Sequence, residues 1–385
     1  MYNFKEAGLG PNFAKEKLSD FKEQIEDGRS FVVLSMPGVG VSYFLRYLAM
    51  QSFARFFHID LYSLPTLNQH ELYKLLLTEL GGKPFGFAQD KPGSKTDQEL
   101  LIEVKKILKT LSDKQDKLVL IFSRFDQLGK EIDNRLLSNI QSLANIAPGK
   151  ITLIFTSTKP LNEASKEPLT GGNLNFYSES LYFKPYSKDD LKKLLTIEPP
   201  RSTPKDDLDK LIELSGGHNQ LLQILRRSQK QQNLLSDQFV KLQLKGLVDY
   251  LDYSQRKQLQ KIALGKSIND ADDYLSGVGM VKVSKLQAPS SKFQIFTPLL
   301  AEYVRQNISV KLPVKEAKLF KLLRKNLGSV VSKDEIFTEV WPTDENASDW
   351  ALDALIYRLR KHPFITSQGY IIESHKKVGY TLIQV

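Results

Sequence analysis

The first 183 positions alternate between short, unbroken apolar runs and stretches with helical apolar spacing. Phe31-Val32-Val33-Leu34, Phe56-Phe57-His58-Ile59-Asp60-Leu61, Leu118-Val119-Leu120-Ile121-Phe122, Ile151-Thr152-Leu153-Ile154-Phe155-Thr156 and Leu181-Tyr182-Phe183 are the strand-like runs. They lack polar alternation, as strands covered on both faces do. Between them, residues 12–27, 43–49, 67–80, 97–111 and 136–146 carry helical spacing, with a glycine- and proline-rich loop at 81–93. Strand alternating with helix predicts a parallel, doubly wound α/β sheet.

Beyond residue 184 the pattern changes to short helices at 188–195, 208–214 and 219–228, which predicts a small helical lid over 184–232. Residues 233–308 read as helices (255–264, 271–277) followed by a short strand pair (280–283, 293–296) and a closing helix at 298–306, the layout of a winged helix. Residues 309–385 repeat that layout, giving a second winged helix. The fold class is therefore a P-loop NTPase-like α/β sheet over 1–183, a helical lid over 184–232, and winged helices over 233–308 and 309–385.

Composition narrows the function. No apolar run reaches the roughly 18 residues of a membrane span, and the N-terminus lacks the layout of an export signal. The expected location is the cytoplasm, with no membrane partner. The chain has no cysteine, which excludes disulfides and thiolate metal sites. Net charge is +10. About +6 of it lies in 184–308 and about +3 in 309–385, against about +1 in 1–183. A basic C-terminal half favours polyanionic partners.

Two segments carry candidate chemistry. The first is Ser35 to Ser42, between a strand and a helix. A phosphate-binding loop there requires G-x-x-x-x-G-K-[ST], in which backbone amides wrap the phosphates, the lysine neutralises them and the hydroxyl helps hold Mg²⁺. Gly40 and Ser42 match, but Ser35 replaces the first glycine and Val41 the lysine. The partner strand ends Phe122-Ser123-Arg124-Phe125-Asp126, so Ser123 and Arg124 occupy the usual acidic positions and Asp126 is the nearby carboxylate.

Met36-Pro37-Gly38-Val39-Gly40-Val41-Ser42, Phe57-His58-Ile59-Asp60-Leu61, Leu118 to Asp126, Ile154-Phe155-Thr156-Ser157-Thr158 and Ser215-Gly216-Gly217-His218-Asn219-Gln220-Leu221-Leu222 follow one another in an order that resembles the STAND and origin-recognition branch of the AAA+ ATPases. The resemblance covers about residues 25–305. It implies a nucleotide site at Pro37, Gly38, Val39, Gly40, Val41, Ser42, Tyr43, Asp126 and His218. With the lysine and both acids gone, no catalytic residue and no metal ligand is expected, because charge stabilisation supplies nearly all of phosphoryl-transfer catalysis. ATP or ADP binding without hydrolysis and an empty structural turn both stay open. His58 is expected to be a packed residue, Asn219 a helix cap, and Arg226-Arg227 a solvated face.

The second segment is the C-terminus. Ser332-Lys333-Asp334-Glu335 predicts a capped helix start, with helices over 315–327, 334–340 and 348–361 and β-segments at 365–372 and 377–383. Gly328 to Ile336, Glu339-Val340-Trp341, Ile356-Tyr357-Arg358-Leu359-Arg360-Lys361 and Val378-Gly379-Tyr380-Thr381-Leu382 resemble the OmpR/PhoB output domain over about 70 residues. That resemblance implies a third helix in the major groove of double-stranded DNA and a wing beside it. The implied contacts are Trp350, Ala351, Ala354, Tyr357, Arg358 and Lys361 on the helix, and Lys376 and Lys377 on the wing. Leu352, Leu355, Ile356 and Leu359 suit the core. The first winged helix carries Asp272 and Asp273 at its candidate recognition helix, where acids would repel phosphate, so a structural role is expected for it. The expected function is a DNA-binding transcriptional regulator. The alternative is a nucleotide-switched signalling ATPase whose C-terminal winged helix binds a protein; a homo-oligomer or a signalling partner is left open.

Overall fold

In the computed structural model, residues 5–81, 95–115, 117–197, 205–228, 233–283, 293–307, 313–342, 347–361, 365, 370–375 and 378–384 are described. The chain divides into two compact units, residues 1–303 and 304–385.

The first unit opens with helix α1 (Lys15–Glu26), then β1 (Phe31–Ser35), α2 (Val41–Leu48), β2 (Arg55–Asp60), α3 (Gln69–Glu79), α4 (Asp97–Ser112), β3 (Leu118–Ser123), α5 (Asn134–Ala144), β4 (Ile151–Ser157), short α6 (Leu161–Ala164) and α7 (Gly171–Phe176), and β5 (Ser180–Phe183). The strands form one parallel sheet in the order β2-β3-β4-β1-β5. Every residue of β1, β3 and β4 is buried, which explains why those runs show no alternation. The expected doubly wound sheet is thus present. From β1 the chain runs out to β2 at one edge, and from β4 it passes over β1 to β5 at the other. The strand order therefore reverses around β1, and the loop after β1 opens at the carboxyl edge of that reversal, where open α/β sheets place their ligands.

Three helices follow: α8 (Lys188–Thr196), α9 (Lys205–Ser215) and α10 (Asn219–Leu225). Then come α11 (Gln238–Asp249), α12 (Tyr253–Ala263), α13 (Asp273–Gly277), the antiparallel pair β6 (Val281–Val283) and β7 (Phe293–Ile295), and α14 (Pro298–Asn307). This is the helix–helix–helix–hairpin order of a winged helix. Its α13, the candidate recognition helix, is held against the sheet domain. Tyr274 donates a hydrogen bond to the Thr158 carbonyl at 2.5 Å, and a Cβ on Gly277 would overlap the Tyr182 ring. Asp272 caps this helix by accepting from the Leu275 amide.

The second unit contains α15 (Val314–Lys325), β8 (Val330–Ser332), α16 (Lys333–Val340), α17 (Asp349–Lys361), β9 (Tyr370–His375) and β10 (Gly379–Gln384). Its sheet is antiparallel in the order β8-β10-β9. One apolar cluster, from Leu319 on α15 to Leu382 on β10, fills the space between helices and sheet. The sequence pattern shows Val330-Val331 only as a break after α15; the structure makes it the third strand, paired with Gly379–Thr381.

Candidate nucleotide cleft and nucleic-acid interface

The loop after β1 bends through two left-handed glycines, Gly38 (φ +75°) and Gly40 (φ +109°), a conformation that a side chain would strain. It is gripped from the lid side by its carbonyls. His218 Nε2 donates to Pro37 O at 2.9 Å, Gln220 N to Gly38 O at 3.1 Å, Asn219 N to Val39 O at 3.4 Å, and Tyr186 Oη to Gly40 O at 2.9 Å. Space is as tight as the bonding: a Cβ on Gly38 would overlap the Gln220 side chain, and one on Gly40 would sit 2.8 Å from the Tyr186 ring. With the carbonyls engaged, the amides of Gly40, Val41 and Ser42 at the start of α2 meet no acceptor among the described residues. They carry the partial positive charge of a helix N-terminus.

His218 is a strut beneath the loop rather than a group facing the cleft. Its Nδ1 accepts from the Leu221 amide at 3.2 Å while Nε2–H donates to Pro37 O. This fixes the neutral tautomer. Complete burial pushes its pKa down to about 4. His218 is also the cap of α10, which corrects the expectation that Asn219 caps it; Asn219 is the first residue inside the helix.

Across the cleft, Ser123 Oγ pairs with His58 Nε2 at 2.6 Å, so His58 is a packed, hydrogen-bonded residue, and burial lowers its pKa. Arg124 takes a left-handed backbone (φ +60°) and donates its amide to Thr156 Oγ1 at 2.7 Å. Its guanidinium reaches Asp60 Oδ1 at 3.2 Å and lies over the Tyr62 ring. Asp126 Oδ2 accepts from both the amide and the hydroxyl of Thr158, at 2.8 and 2.6 Å. That carboxylate tethers the end of β4.

The cleft itself is a cavity of about 590 Å³. Pro37, Gly38, Gly40, Val41, Ser42, Tyr43 and Asp126, all expected from the sequence, line it; Val39 is buried beneath. The cavity also takes in Arg46 and Arg124, and Asn219, Gln220 and Gln223 from the lid. Spacing along the chain gives no signal for Tyr186 or Gln223, because only the fold brings them to the loop, and Arg46 lies one turn into α2 with no motif to mark it. An ATP–Mg²⁺ pair does not fit this lining. A guanidinium stands at the acid position, the nearest carboxylate is committed to Thr158, and an apolar side chain stands at the lysine position. Among the described residues, no group of three or more metal-binding side chains is assembled anywhere.

In the second unit, Ser332 caps α16 by accepting from the Glu335 amide at 3.2 Å, as the sequence predicts. On α17, Leu352, Leu355, Ile356 and Leu359 are all buried in the cluster. The opposite face presents Trp350, 81% exposed, and Tyr357, 58% exposed. Ala351 and Ala354 are half-buried between them. Arg358 is exposed, but its Nε donates to Glu316 Oε1 of α15 at 2.9 Å, and that carboxylate is buried. Arg360 braces β9 by donating to the Ile372 carbonyl. The side chain of Lys361, and Lys376 and Lys377 altogether, lie outside the described residues. Tyr380 Oη donates to Asp353 at 2.6 Å, and burial first, then Asp353, pushes its pKa up to about 12.

Residues 306–382 match the family described as "Transcriptional regulatory protein, C terminal". No curated protein matches the chain. Among solved structures, a Walker-type ATPase of Pyrococcus abyssi is similar at 17% identity, with 76% of this chain and 96% of that chain covered and a TM-score of 0.48. The ORC1 protein of Aeropyrum pernix, solved in complex with DNA, is similar at 10% identity, with coverage of 99% and 94% and a TM-score of 0.41. A STAND protein of Pyrococcus horikoshii with a tetratricopeptide repeat sensor is similar at 13% identity, with coverage of 94% and 53% and a TM-score of 0.35. Residues 306–382 thus form a winged helix of the OmpR/PhoB output type, preceded by a five-stranded parallel α/β module.

Proposed function

We propose that this protein is a DNA-binding transcriptional regulator whose α/β module does not hydrolyse ATP. The observation that carries the reading is the transcriptional-regulator family match at 306–382. It falls on a unit whose α17 turns Trp350 and Tyr357 to solvent. In this reading α17 contacts double-stranded DNA through Trp350, Ala351, Ala354, Tyr357, Arg358 and Lys361, and Lys376 and Lys377 of the wing hold phosphate. Residues 1–183 form the α/β domain, 184–232 the lid, 233–308 a structural winged helix and 309–385 the DNA reader. The contacts between α13 and the sheet domain support the structural role of the first winged helix.

Selection of bound sequences from random duplex DNA at a stated salt concentration tests the proposal. A preferred site is expected, with affinity falling steeply as salt rises. Lys376→Ala should weaken all sequences alike and reduce the salt slope by about one unit. If no duplex binds, the winged helix is a protein-contact domain. Purified protein should show no ATP turnover above background, and Val41→Lys alone should not create it, since the acid positions still hold Ser123 and Arg124. Magnesium-dependent turnover abolished by Ser42→Ala would overturn that part.

A further inference from the structure

The cavity above the loop is polar on three sides. The amides of Gly40, Val41 and Ser42 stand without acceptors among the described residues. Arg124 and Arg46 line the cavity from two different elements. Each guanidinium has five N–H donors. Arg124 uses one on Asp60, and Arg46 engages the buried Glu6 through Nε and one terminal nitrogen. On the lid side, Asn219 is 3% exposed and its Oδ1 has no partner; Gln223 Nε2 is buried and likewise has none. Both residues line the same cavity. Buried polar groups are normally satisfied, and an orphan pair on one wall asks for a polar occupant.

We infer that this cavity binds a phosphate-bearing nucleotide anion without a divalent cation, with Arg124 and Arg46 supplying the positive charge that the metal and the missing lysine would otherwise bring. A divalent ion would have to sit beside the Arg124 guanidinium with Asp126 already tied to Thr158, and like charges at short range repel. A bare phosphate chain meets the opposite conditions: open helix amides below it and guanidinium donors beside it, the pairing that forks onto phosphate oxygens most readily. The unpartnered Asn219 Oδ1 and Gln223 Nε2 then meet the rest of the molecule as an acceptor and a donor, the Gln223 orientation being set by its Oε1 accepting from Arg226. A volume of about 590 Å³ suits a nucleotide; inorganic phosphate would leave most of it open. The inference deepens the reading of the first unit as hydrolysis-inactive, and it is read by binding, with neither turnover nor DNA in the assay.

Titration calorimetry on the full chain tests it, with ATP, ADP and pyrophosphate as probes, each in EDTA and again in excess Mg²⁺. A nucleotide should bind in EDTA, and Mg²⁺ should leave its affinity unchanged or lower it. Arg124→Gln should weaken binding about tenfold, and Arg124→Lys should restore part of it. Gln223→Ala, which deletes the unpartnered Nε2 together with an Oε1 that accepts only a long bond from Arg226 at 3.3 Å, should change the melting temperature little and weaken nucleotide binding more than pyrophosphate binding. Nucleotide binding that requires Mg²⁺ overturns the inference while leaving the absence of turnover intact. Pyrophosphate binding as tightly as ADP overturns its nucleotide part. No heat with any probe, or full affinity in both Arg124→Gln and Arg46→Gln, overturns it altogether.

Discussion

At the scale of single residues, His218 joins stability to pH. Its ring is wholly buried, its Nε2–H is committed to Pro37 O, and its pKa is held near 4, below the ordinary histidine value of about 6.5. Protonation therefore favours the unfolded chain. The stability contributed by neutral His218 is fully present above about pH 6.5 and is lost as pH falls toward 4, by on the order of 3 kcal/mol. A pH series of thermal melts should show this loss in the parent and a flatter curve between pH 6.5 and 4 in His218→Gln; equal slopes would mean that another group sets the acid limb. Arg358 presents a second residue-scale question, because it bonds a buried carboxylate. Arg358→Ala should lower stability by about 1–3 kcal/mol by leaving Glu316 without its donor, in addition to any loss of DNA affinity. Glu316→Gln separates the two effects. It releases the guanidinium, and DNA affinity should hold or rise if Arg358 reads DNA.

At the scale of elements, the chain's period of apolar residues makes most of the fold legible. The buried positions of α17 and the strands β1, β3 and β4 stand out because whole runs of side chains share one environment, whereas the edge strand β5 buries only Phe183 fully. β8 does not, since three residues are too few to show a period and its identity comes from pairing with a strand about fifty residues on. The cleft was half legible for the same reason. Its loop is contiguous in sequence, so Gly40, Ser42 and the replacements at Val41 and Ser123 can be read directly. Tyr186 and Gln223 come from elsewhere and carry no local signature. Gly40 links the two levels: an Ala there has to adopt φ near +109° with its Cβ against Tyr186 and Asn219. Gly40→Ala should cost about 1–3 kcal/mol and loosen the lid grip, read as a lower melting temperature. By contrast, Trp350→Ala on the outer face of α17 should leave the stability within about 0.5 kcal/mol of the parent and weaken DNA binding. A large loss of stability with unchanged DNA affinity would remove Trp350 from the interface.

At the scale of the molecule, the sequence pattern places the start of the last domain at residue 309, and the contacts divide the chain between 303 and 304, within α14. The apolar cluster of the second unit draws all of its members from residues 319–382. A fragment spanning 304–385 should therefore fold cooperatively, seen by circular dichroism, and bind DNA more weakly than the full chain. An unfolded fragment would mean that residues before 304 complete it.

The chain has only two tryptophans, and both fall in that second unit: Trp341, 8% exposed in its core, and Trp350, 81% exposed on α17. Excitation of indole alone therefore makes the α/β module optically silent and the winged helix visible by itself. Trp350 should emit at the red, water-like end of the spectrum and Trp341 farther to the blue. Duplex DNA laid against α17 should dim the first and spare the second, whereas melting of the unit should shift the second. Nucleotide added to the cleft should change neither directly, so any change in this emission on adding ADP would be a signal passed from one unit to the other, obtained without a label.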